Sequence, residues 1–174
     1  MQPPKLDFLP QNGRIPKGEK LARLVAKLLA GRDAADHVIA LTDVYTGSDD
    51  FTDATDAKAQ MRLWVGNEPK FHPHAAQYDF EAWLIPYWGT IQKIARHNKN
   101  SPGTNPELIN HNKPPSKHIG ELFEAGECRG SYVKARDAKR ILEGQDLLVS
   151  IRKCPEFKAF VNTILEISDG ELID

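Results

Sequence analysis

At 174 residues the chain is long enough for one domain with a core of its own. Lysine and arginine (23) nearly balance aspartate and glutamate (24), for a formal net charge of -1, which excludes a polycation that coats nucleic acid with its whole surface and confines any such contact to a local patch. Two cysteines, Cys128 and Cys154, with no CxxC and no His at zinc-finger spacing, argue against a disulfide framework or a structural zinc site; with no apolar leader core and no run near the roughly 18 residues of a membrane span, the expectation is a cytoplasmic protein off the membrane.

The opening decamer is proline-rich and aperiodic, and the breakers of QNGRIPKG follow it. KLARLVAKLLAG then places Leu21, Leu24, Val25, Leu28 and Leu29 on one helical face, with Gly31 as a stop. HVIALT is short, β-branched and unbroken, the pattern of a strand covered on both faces in a parallel sheet, and Asp43 stands at its carboxyl edge. TDATDAKAQMRLWVG predicts a helix with Asp53 or Thr55 as N-cap and Gly66 at its end. KFHPHAAQ is a weaker strand because Pro73 lies inside it.

From YDFEAWLIPYWGTIQKIARH the period is helical, with a kink expected at Pro86. The polar NKNSPGTNPELINHNKPP reads as an exposed loop. Short helices follow in SKHIGELFEAG, capped by Ser116, in ARDAKRILEG, in DLLVSIRKC, and in PEFKAFVNTILEI, which opens on Pro155. The organisation expected is an α/β core over residues 1–97 and a helical extension over 98–174 packed on it as part of the same domain, with a mainly parallel sheet flanked by helices and a shortage of strands.

Ligands of open parallel sheets gather beyond the carboxyl ends of the strands. Asp43 holds such a position, and Asp79 and Glu81 reach the same edge if the strand at 70–77 runs parallel beside HVIALT. Carboxylates there suit Mg²⁺ or Mn²⁺, hard cations with oxygen ligands. The plainer alternative is that Asp43 is a turn former and that Asp49, Asp50, Asp53 and Asp56 make a solvated loop with a helix cap. His72 and His74 share a strand face and serve either as strand residues or as two ligands of a transition metal. RGSYVKARDAKR, residues 129–140, sets Arg129, Lys134, Arg136, Lys139 and Arg140 against the single Asp137, with Tyr132 among them: a patch for a phosphate backbone and a ring for a base, or a solvated helix face.

YDFEAWL, KPPSK, SYVKARDAKRI and IRKCPEFKAFVNTI, after a strand ending in Asp, resemble in order and spacing the blocks of a bacterial family, domain of unknown function 4276, over about residues 12–168. Members of that family are similar to the Toprim fold, a metal-dependent phosphotransfer module, and are often encoded beside AAA or ABC-type ATPases in phage-defence or mobile-element settings. The resemblance implies a Toprim-like nuclease or nuclease-type subunit with Asp43, Glu81 and Asp79 as catalytic residues, Mg²⁺ or Mn²⁺ on Asp43 and Glu81, nucleic acid on Arg129, Tyr132, Lys134 and Arg136, and an ATPase as partner. Two departures stand out: Val44 and Tyr45 follow Asp43 where Toprim sites carry Asp-x-Asp, and MQPPKLDFLPQNG lacks the family's Glu-containing first turn. They imply an N-terminally incomplete core, and with it the alternative of a non-catalytic Toprim-like module that binds an ATPase or nucleic acid without cleaving it.

Overall fold

The structure, a computed structural model, describes residues 5–11, 15–45, 51–109, 113–128 and 130–174. Asp49 and Asp50 in the loop after the first strand, and Arg129 in the basic segment, lie outside the described residues. The chain divides into two compact units, one formed by Met1–Ala75 with Ala159–Asp174, the other by Ala76–Lys158.

The first unit is built on a β-α-β motif. Strand β1 (Val38–Asp43) leads through helix α2 (Ala54–Val65) to strand β2 (Phe71–Ala76), and helix α1 (Glu19–Leu28) precedes them. The Val38 amide donates to Lys70 O at 2.9 Å, so the start of one strand meets the start of the other and the pair runs parallel. Among the described residues the sheet has these two strands. Asp53 caps α2, its carboxylate accepting from the Asp56 amide at 2.8 Å, and Gly66 ends it with φ at 83°, a left-handed angle that glycine adopts without strain. Leu21 and Val25 of α1, Met61 of α2, Ala40 of β1 and Phe71 of β2 close into one apolar cluster. Val44, Phe51, Ala54, Ala57 and Ala75 form a second.

The expectation that β1 is covered on both faces is corrected. Ala40 and Thr42 are buried, whereas Leu41 between them is 42 % exposed. Successive side chains alternate across a strand, so the apolar run HVIALT packs one set and leaves the other outward. Pro73, in turn, does not exclude β2: in a two-stranded sheet every strand is an edge, where a residue without an amide proton is tolerated.

In the second unit a buried 3₁₀ segment, Phe80–Tyr87, runs directly into helix α3 (Trp88–Ala95). The kink expected at Pro86 is thus a change of helix type, since proline cannot donate to an α-helical ladder. Around the 3₁₀ segment pack a second 3₁₀ turn (Pro106–Leu108) and helices α4 (Pro115–Ala125), α5 (Lys134–Leu142) and α6 (Leu148–Ile151). Leu84, Ile85, Trp88, Ile91, Ile119 and Leu122 are among its buried apolar side chains. Helix α7 (Pro155–Glu166) starts in this unit and continues into the first. The chain is an α/β protein, predominantly helical, and among the described residues no helix is long and apolar enough to cross a membrane.

Candidate functional site

Four carboxylates of the second unit lie below the surface: Asp79, Glu81, Glu107 and Asp137, at 2, 0, 7 and 0 % exposure. Burying a charge is costly unless hydrogen bonds and opposite charges compensate it. The partners of each carboxylate therefore show what it is for.

Three of them serve helix starts. Pro114 and Pro115 open α4 without amide protons, and the first donor of the helix, the Ser116 amide, meets Asp79 Oδ2 at 3.2 Å. The Ser116 side chain is not the cap expected of it; Pro114 holds that position and Asp79 supplies the anion from a distant segment. Glu107 accepts from the Trp83 indole at 3.0 Å and from the Glu156 amide, in the first turn of α7, at 3.1 Å. Burial raises the Glu107 pKa against the pull of these two donors. Asp137 Oδ2 accepts from the Val133 amide at 2.8 Å at the head of α5, while Arg136 and Arg140 clasp the same carboxylate at 2.8 to 3.0 Å. Burial disfavours the Asp137 charge, but these bonds outweigh it and hold the carboxyl at about 2.

Glu81 differs. It is fully enclosed at the start of the 3₁₀ segment, and two side chains from residues 132–134 face it. The Tyr132 hydroxyl donates to Oε1 at 3.2 Å, and the Lys134 ammonium stands 3.1 Å from Oε2. The Lys134 side chain is itself half exposed and lies over the Phe80 ring. Burial pushes the Tyr132 hydroxyl well above its ordinary range, and the Glu81 charge pushes it further, so it remains a donor at any physiological pH. Its ring packs edge-on against Phe123. Just upstream, Tyr78 turns the chain out of β2 with φ at 67°, a left-handed geometry that costs a residue with a Cβ roughly 1–2 kcal/mol.

The structure thus brings Glu81, Tyr132 and Lys134 into direct contact, and the Asp79 charge is felt by the Tyr132 hydroxyl. Arg136 turns away to Asp137 and to Ser131 O at 3.1 Å. Asp43, partly buried at the last position of β1, belongs to the other unit. Among the described residues no group of three or more His, Cys, Asp or Glu side chains is arranged to hold a metal ion. Within the second unit, Asp79 Oδ2 serves α4, Glu81 Oε1 accepts from Tyr132 and Glu81 Oε2 is ion-paired with Lys134, so an ion on Glu81 would compete with the Lys134 ammonium.

Sequence reasoning missed the buried roles of Glu107 and His118. Glu107 sits in a polar, proline-flanked stretch that reads as exposed loop, and nothing in NPELIN marks it as enclosed. His118 had a weak signal, since it stands four residues before Leu122 on the inward face of α4.

The fold and this cluster define an α/β chain whose second unit surrounds a buried carboxylate held by a tyrosine and a half-exposed lysine. The chain belongs to the family described as Domain of unknown function (DUF4276), whose family model matches residues 7–165. No curated protein and no solved structure matches it.

Proposed function

We propose that the chain is a Toprim-like module of nuclease type, acting on phosphodiester substrates together with an ATPase in a bacterial defence or mobile-element setting. The observation that carries this reading is Glu81: a fully enclosed carboxylate, facing a tyrosine hydroxyl and a half-exposed lysine. Such an acid next to a half-exposed cation is suited to phosphate chemistry, because the lysine can stabilise either the carboxylate or an incoming phosphate oxygen. The family resemblance adds Mg²⁺ or Mn²⁺ with Asp43 and Glu81 as its ligands; both offer the hard oxygen donors such ions take, and a bound ion would polarise the phosphodiester and activate water. Tyr132 would keep the Glu81 carboxylate in place, and Lys134 with Arg136 would bind the backbone. The ATPase partner rests on the resemblance alone.

A second reading, a module that binds nucleic acid or the ATPase without cleaving, is favoured by a different observation: Lys134 already neutralises Glu81, and Arg136 and Arg140 already neutralise Asp137. Incubation of the chain with labelled single-stranded and double-stranded DNA and RNA in Mg²⁺ or Mn²⁺, beside its Glu81→Gln and Asp43→Asn variants, separates the two. Metal-dependent cleavage lost in both variants is the expected result. Binding without cleavage, unchanged by either variant and by chelator, would replace the first reading with the second.

A further inference from the structure

A second polar site lies in the first unit, apart from the carboxylate cluster. A cavity of about 410 Å³ is bounded by α2, β2 and α7, and its polar walls are Thr55, Lys58, Arg62, His72, His74 and Thr163, with Ala59 and Pro73 completing it. That volume falls within the range of small-molecule sites. Residues 55, 58, 59 and 62 recur at the spacing of one helix face, and His72 and His74 at the spacing of one strand face, so two regular elements present their polar sides to the same space. The walls carry two cations, two imidazoles and two hydroxyls, and none of the lining residues is a carboxylate.

Every one of these groups can donate a hydrogen bond, and the charges are of one sign. His74, 7 % exposed, has its Nε2 fixed 3.0 Å from Thr163 Oγ1 and its ring edge-on to Phe160. His72 Nε2 lies 3.0 Å from His37 Nδ1. A metal cation on the two histidines would have to overcome the field of Lys58 and Arg62, whereas an anion would be drawn by it. Phosphate is the anion whose geometry matches a lysine, an arginine and hydroxyl donors together.

We propose that this cavity binds a phosphomonoester or inorganic phosphate dianion, with Lys58 and Arg62 supplying charge, His72 and His74 supplying ring N–H groups, and Thr55 and Thr163 supplying hydroxyls. Both imidazoles stand among cations. Burial first, and then Lys58, His72 and Arg62, push His74 down to about 4; burial, His37 and Arg62 lower His72, with Glu166 the opposing charge. A dianion among them reverses the balance and favours the protonated rings. The site does not depend on the Glu81 reading.

The test is an NMR titration of the imidazoles of the full chain against pH, alone and with inorganic phosphate, with adenosine monophosphate, or with an oligothymidylate lacking terminal phosphates. Expected is an upward move of the His74 and His72 titrations in phosphate and in the nucleotide. Tighter binding of the nucleotide would identify a phosphorylated small molecule as the source, and equal binding the free ion. Arg62→Gln, at an exposed position, should keep the fold and weaken the response about tenfold. No movement of either titration at millimolar ligand, an undiminished response in Arg62→Gln, or an equal response to the oligothymidylate would overturn the proposal.

Discussion

The Lys134 ammonium stands 3.1 Å from Glu81 Oε2, one half-exposed cation set against a carboxylate with no exposure at all. Removing the lysine takes a cation from a buried carboxylate that keeps the Tyr132 hydroxyl, while removing both charges leaves mainly lost packing. Lys134→Ala should therefore cost about 2 kcal/mol, below the roughly 3–5 kcal/mol of a wholly buried pair because solvent already screens the lysine. The double variant with Glu81→Gln should recover most of that. Urea unfolding of the four proteins of this cycle measures it, and strict additivity would mean that the contact carries no coupling.

Asp137 ties its stability contribution to pH. Its carboxyl sits at about 2 in the folded chain, against about 3.9 when unfolded. A depressed pKa stabilises above the unfolded value and stops doing so as pH falls through the folded one. Asp137→Asn should thus be less stable than the parent by about 1–2 kcal/mol at pH 7, and the gap should close between pH 4 and pH 2. Denaturant melts across that range would show it; a gap independent of pH would place the effect in hydrogen bonding alone.

Gly126 ends α4 where the backbone returns against α3, and a Cβ there would lie 1.9 Å from Ala95 O. The obstacle is main chain, which cannot rotate aside. Gly126→Ala should destabilise by about 2 kcal/mol or more, whereas Gly120→Ala, in the middle of the same helix with open space around its Cα, should be neutral or stabilising. Equal melting temperatures for the two variants would contradict this packing.

The two thiols should separate by reactivity. Cys154 is fully enclosed, and burial pushes its thiol up to about 12, while Cys128 is half-buried. At pH 8 an aromatic disulfide reagent should titrate Cys128 in the native chain and Cys154 only after unfolding. Simultaneous reaction of both would show that the core of the second unit opens freely.

Sequence by itself determined the elements whose signals are local. The stripe Leu21, Leu24, Val25, the cap at Asp53, the stop at Gly66 and the Pro155 start all lie within one or two turns, and each recurs in the structure because backbone hydrogen bonds and 3.6-residue periodicity are decided at that range. Charge patterning also showed Asp137 alone among five basic residues, and that contrast is what the Arg136 and Arg140 clasp uses. Tertiary structure alone decided what the carboxylates do. Asp79 looks like a candidate ligand in YDFEAWL, yet it caps a helix that begins 36 residues later; Glu107 looks exposed, yet it joins Trp83 to the start of α7; and His72 and His74 acquire an electropositive surrounding only when α2 is folded beside them. The cost of burying a charge depends on partners that arrive from distant segments, and no local pattern encodes their arrival.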